Sequence, residues 1–116
     1  MPHDPRQCLE DVRKAAGMIR TFVGSSSFAQ YTSNDLLRAG VEREFIIIGE
    51  ALNRLLSIEP HLAARISNHR QIIAFRNILV HGYSVIDDQI VWDAVVNHLP
   101  LLAHQVDVLL AQLNQP

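Results

Sequence analysis

Lysine is nearly missing from this 116-residue chain: Lys14 stands alone against nine arginines. An excess of one charge sign is missing too. Ten basic residues face twelve acidic ones, for a formal net charge of −2 with histidine neutral. Such a balance gives no long-range pull on a polyanion, so tight non-specific DNA binding is not expected. Cys8 is the only cysteine, which rules out an intrachain disulfide and fits a reducing cytoplasm. The aliphatic run Ile46-Ile47-Ile48 is far too short to span a bilayer. Met1-Pro2-His3-Asp4-Pro5 lacks a basic region leading into an apolar one, so no signal peptide is expected. The expected location is cytoplasmic, with no membrane partner. Metal-site spacings are also absent. Despite six histidines there is no Glu-x-x-His and no His-x-x-x-His, and His98 and His104, six apart, do not share a helical face. His104 and Asp107 could touch without forming a site. No glycine-rich phosphate loop is present, so no metal, no cofactor and no intrinsic ATP hydrolysis are expected.

What is present is apolar and helical. Hydrophobic residues make up 48% and charged ones 19%, which fits one ordered domain over 1–116. Asp4-Pro5-Arg6-Gln7 reads as a helix start with Asp4 as N-cap, Pro5 at N1 and Gln7 in capping-box position. Cys8, Val12, Ala15, Ile19 and Phe22 follow at helical spacing up to Gly24. Phe28 to Tyr31 reads as a short helical turn. Thr32 and Asp35, at capping-box spacing, open a second long helix whose stripe is Leu37, Val41, Phe45, Ile48, Leu52 and Leu55. Gly49 inside it predicts close approach of another backbone. Ile58-Glu59-Pro60 ends it. A third helix is predicted from about Asn68 to Val80. Its apolar residues Ile72, Ile73, Phe75, Ile78 and Leu79 cover more than one face, which predicts a central position, and Gly82 is placed to stop it as the C′ residue. After an N-cap at Asp87 or Asp88 comes a last apolar stripe, kinked or restarted at Pro100. No strand alternation is found. The fold class is all-α, a bundle of four or five helices.

Within it, Arg76-Asn77-Ile78-Leu79-Val80-His81-Gly82-Tyr83 gathers a cation, an imidazole and a phenol at one helix end. Arginine suits bidentate phosphate contacts, and Arg65, His69 and Arg70 precede it as a local basic patch. Arg76 could stabilise the charge of a phosphorane-like transition state, and His81 could take a proton from a ribose 2′-hydroxyl or give one to a leaving 5′-oxygen. In an unbroken helix Arg76 and His81 lie about 140° apart and about 7.5 Å along the axis. They would converge only through the break at Gly82, and a second copy would supply the second proton-transfer group. A plain structural role stays open for all three. Arg76 could bond a carboxylate, His81 could cap the helix and Tyr83 could be core. Glu50 could orient Arg76, or pair with Arg43 seven positions away. Asn77 could bond RNA or tie its helix to a neighbour. Phe45, Phe75 and Trp92 read as core.

Arg, four residues, His, one residue, Tyr resembles the signature of the HEPN superfamily, and of its HepT-like group in particular. Phe45-Ile46-Ile47-Ile48-Gly49-Glu50-Ala51 resembles that group's Ile-Gly-Glu-Ala segment. Arg76-Asn77 matches its Arg-Asn pair, and Val91-Trp92 with Leu99-Pro100 resembles its C-terminal pattern. The resemblance runs from about Arg6 to Leu113. It implies a HEPN-type bundle that dimerises around the motif helix and acts as a metal-independent endoribonuclease toxin of a type II toxin–antitoxin pair. The implied catalytic residues are Arg76 and His81; from their own chemistry and position, Asn77, Arg70 and Glu50 are expected as RNA-binding or supporting residues. The implied partners are RNA (tRNA or mRNA), a second copy of the chain, and an MntA-like minimal nucleotidyltransferase. That enzyme transfers AMP from ATP to the motif tyrosine, here Tyr83. The alternatives are a non-catalytic HEPN module that binds nucleotides or assists a nucleotidyltransferase, and a plain helical dimerisation domain.

Overall fold

The computed structural model describes residues 4–82 and 86–115. Among them there are six helices: α1 (Pro5–Val23), α2 (Phe28–Thr32), α3 (Asp35–Ile58), α4 (Pro60–Ala63), α5 (His69–His81) and α6 (Asp88–Leu113). Four are long and α2 and α4 are short connectors, as an all-α bundle requires.

Most helix ends follow from local chemistry. Asp4 caps α1 by accepting from the Gln7 amide at 2.8 Å, with Pro5 in the first turn. The expected capping box is only half made there, because the Gln7 side chain turns forward to Asp11 (2.9 Å). Gly24 ends α1 at φ +52°, a left-handed conformation that favours glycine. The start of α3 corrects the sequence reading. Its N-cap is Asn34, whose Oδ1 accepts from the Leu37 amide at 3.0 Å. Thr32 belongs to the end of α2, and its hydroxyl donates to Asp88 at 3.0 Å. Arg38 closes this corner by bonding the Thr32 carbonyl and the Asp35 carboxylate, with its Nε 3.8 Å from Asp88. The start of α6 is thereby pinned to the α2–α3 corner.

The core lies between α1, α3 and α6. Cys8, Leu9, Val12 and Ile19 from α1 meet Val41, Ile48, Leu52 and Leu55 from α3 and Val91, Leu99 and Val106 from α6, all fully buried. Cys8 is free, and burial pushes its thiol pKa up, which disfavours the reactive thiolate. Tyr31 is buried with its ring centroid 5.3 Å from that of Trp92. Phe45 meets Phe75 edge-on at 5.4 Å, so these aromatics are core or core-lining as expected.

Helix α6 contains a π-helical turn over Ala94–His98, just before Pro100. Proline has no amide hydrogen and its ring clashes with the carbonyl four residues back, here that of Val96. A wider turn relieves that clash. It also takes more residues per revolution, so Val91, Val95 and Leu99, four apart, all reach the core. His98 and Asp93, five apart, come within 3.1 Å for the same reason. By length and hydropathy α6 could cross a bilayer, yet one face is core and Asp93, His98, His104 and Asp107 lie along its length.

The position of α5 differs from expectation. It is not central: it packs extensively against α3 alone, and of its residues only Leu79 is buried. Ile78 is 57% exposed, as is Ile90 across the way on α6. Between α5 and α6 runs an open groove of about 440 Å³, floored by Phe45 and walled by Ile72, Phe75, Leu101 and Leu102. The second apolar face of α5, which looked like a mark of burial, thus lies open.

Candidate active site

Gly49 and Arg76 define the contact between α3 and α5. A Cβ added at Gly49 would stand 2.7 Å from Arg76 Cγ and closer still to its Cβ. The missing side chain on α3 is therefore the seat for the stem of Arg76. The expected close approach is real, and the group that approaches is the motif arginine itself.

Once seated, the guanidinium is held on two sides. Nη1 donates to Asn77 Oδ1 at 2.8 Å, and Nη2 to Glu50 Oε1 at 3.4 Å. Nε is buried without a partner among the described residues. The Arg76 side chain is 29% exposed and that of Glu50 40%. The pair is open enough for an anion to reach the Nη edge, and the long Glu50 contact leaves that edge available. Glu50 thus pairs with Arg76 and not with Arg43. Asn77 supports its sequence neighbour, and among the described residues it makes no side-chain bond to another helix.

His81 is the last residue of α5 and is exposed. Gly82 stops the helix, with its amide donating to the Ile78 carbonyl at 2.7 Å. A left-handed conformation, the usual reason for glycine at a helix end, is not what requires it here, because φ is −88°. Space is the reason: a Cβ would sit 2.6 Å from the Ile78 carbonyl oxygen. Helix geometry holds within this chain, so Arg76 turns towards α3 while His81 points to solvent. Tyr83, the third member of the motif, lies outside the described residues.

The basic patch read from the sequence thins out. Arg65 reaches α6 to bond Gln112 at 2.6 Å, and His69 donates from Nδ1 to the Ile66 carbonyl at 3.3 Å. Arg70 is exposed, with no bond to another group among the described residues. Among the described residues no three histidine, cysteine or acidic side chains come together as a metal site would require. The Gly49 seat was legible as an in-helix glycine. The Glu50–Arg76 pairing, 26 residues apart, had no local signal.

Six helices with a phosphate-suited arginine and a terminal histidine on one outer helix define an all-α bundle of the HEPN type. A sequence model of the family described as ribonuclease HepT-like matches residues 12–109, and the chain belongs to that family. A protein named as an RNase in Methanocaldococcus jannaschii is 26% identical over 90% of this chain and 95% of its own length. A second protein named as an RNase, from Caldanaerobacter subterraneus subsp. tengcongensis, is 26% identical over 91% and 94%. A protein named as ribonuclease HepT in Thermococcus cleftensis is 26% identical over 88% and 92%. No solved structure matches.

Proposed function

We propose that this ribonuclease cuts RNA by 2′-hydroxyl attack at a site shared between two copies of the chain. The observation that carries the reading is the seating of Arg76 over Gly49, with Asn77 and Glu50 holding its guanidinium and the Nη edge left open. A phosphate meeting that edge gains charge-assisted hydrogen bonds, which strengthen as negative charge builds on its oxygens. The 2′-oxygen bonds to phosphorus and the bond to the 5′-oxygen breaks. One proton leaves the 2′-hydroxyl and another goes to the departing oxygen, and His81 supplies one of these transfers. The second comes from the His81 of a partner copy. Two-fold pairing along the open face of α5 would bury Ile78 and the apolar groove and bring two motif ends together. This route uses no metal. Cleavage is expected to persist in EDTA and to leave 2′,3′-cyclic phosphate and 5′-hydroxyl ends, read by mass spectrometry. Products with 5′-phosphate ends would overturn the 2′-hydroxyl route.

In this reading the chain is the toxin of a type II toxin–antitoxin pair, and an MntA-like nucleotidyltransferase restrains it. The Tyr83 oxygen attacks the α-phosphorus of ATP, loses its proton and releases pyrophosphate. The bound AMP places bulk and negative charge near the cations that RNA needs. Incubation with the nucleotidyltransferase and ATP is expected to add the mass of AMP to the parent protein and not to Tyr83→Phe. Equal modification of that variant would move the target elsewhere.

A further inference from the structure

Helix α5 carries no acidic residue, although the chain as a whole is acidic by two charges. Arg70, Ala74, Asn77 and His81 follow at steps of four, three and four, so they stand within about 40° of one line along the helix. All four are exposed. The ridge points away from α3 and runs beside Ile78, at the margin of the open apolar face. Its polar groups are chiefly donors. Arg70 keeps its guanidinium free of other partners among the described residues. Asn77 spends its oxygen on Arg76, which leaves its amide N–H groups outward. Ala74, with nothing beyond Cβ, leaves a flat gap between them.

We propose that this ridge is a track for single-stranded RNA, in which Arg70 holds a backbone phosphate away from the one cut at His81. The inference rests on the ribonuclease reading above and adds the form of the substrate and its direction along α5. His81 stands eleven positions after Arg70, about 16 Å along the helix. At roughly 3.4 Å per stacked nucleotide, and more when the strand is drawn out, that distance spans about three to five nucleotides. A single strand fits such a narrow line of donors, and its exposed bases can lie over Ala74. A duplex does not fit, because it needs many phosphates neutralised across a broad surface. Here the other basic residues of the patch, Arg65 and His69, are engaged in internal bonds.

The test uses oligonucleotides with one cleavable ribonucleotide in a 2′-deoxy background, with the arm on each side lengthened one nucleotide at a time. The parent protein is expected to gain about tenfold in kcat/KM in one step, on one side only, as that arm passes three to five nucleotides. The step is expected to vanish in Arg70→Ala and to persist in Arg13→Ala, which removes the same charge from α1. The salt dependence of Kd for an uncleavable 2′-O-methyl strand should become shallower in Arg70→Ala by about 0.7 in log–log slope. Cleavage that grows smoothly with both arms, a step that survives in Arg70→Ala, or full cleavage after a complementary strand is annealed would each overturn the track while leaving the ribonuclease reading intact. Failure of the parent to cut any of the strands overturns both.

Discussion

A His81→Ala protein is expected to lose about 10²- to 10⁴-fold in RNA cleavage, the range for removing a general acid or base. It is also expected to melt close to where the parent melts. The two halves of this expectation have separate origins. His81 is exposed at the last position of α5 and makes no internal bond among the described residues. Its removal therefore opens no cavity and strands no buried partner, and the stability cost is confined to about 0.3–1 kcal/mol of helix-end electrostatics. The catalytic loss is larger because, in the proposed mechanism, the proton transfers fall to His81 itself. Cleavage rate and thermal melting on the same preparation check both halves. Cleavage at the parent rate would remove His81 from the chemistry and favour a nucleotide-binding module without catalysis.

Gly49→Ala is expected to act in the opposite order, through the fold first. In an ordinary helix the change would stabilise by up to about 1 kcal/mol, because alanine loses less backbone freedom. At Gly49 the new methyl group would overlap the Cβ of Arg76, an atom fixed to the backbone and unable to swing away. Helix α5 must move off α3, at an overpacking cost of about 1–3 kcal/mol. Gly17 provides the comparison, since it lies in α1 with nothing within 4 Å of an added Cβ. Gly17→Ala is expected to raise the melting temperature and Gly49→Ala to lower it, so two identical substitutions shift stability in opposite directions. Gly49→Ala also displaces the Arg76 guanidinium, and a shift of about 1 Å can cost about 10²-fold in rate. Equal melting shifts for the two variants would show that the Gly49–Arg76 contact is not close.

The helices and most of their ends were legible because they depend on neighbours in sequence. Asp4 and Pro5 at the start of α1, Gly24 at its end and Asp87 before α6 each act within a few residues. Competition between adjacent candidates was less legible. Thr32, Asn34 and Asp35 all could cap α3. Asn34 does so, because Thr32 is used by Asp88 on a distant helix and Asp35 by Arg38. Periodicity also misplaced α5. An apolar residue is compatible with a core or with an open face, and Ile78 is of the second kind. At the site, Gly49 announced a close contact, but which side chain fills it required the fold. Arg76 and His81 were named from their spacing and type. Their divergence follows from the same helix arithmetic, since Gly82 redirects nothing before it.

Helix α5 leans extensively on α3 alone and buries only Leu79, while α1 packs against both α3 and α6 and all three bury several residues. In terms of cooperativity, the motif helix is then the part that can detach while the rest remains assembled, because local opening costs least where fewest apolar contacts are lost. Damage to the α3–α5 seam would therefore silence the protein before it unfolds it. A population of such molecules would keep its overall helical content and its three-helix core while losing the geometry around Arg76.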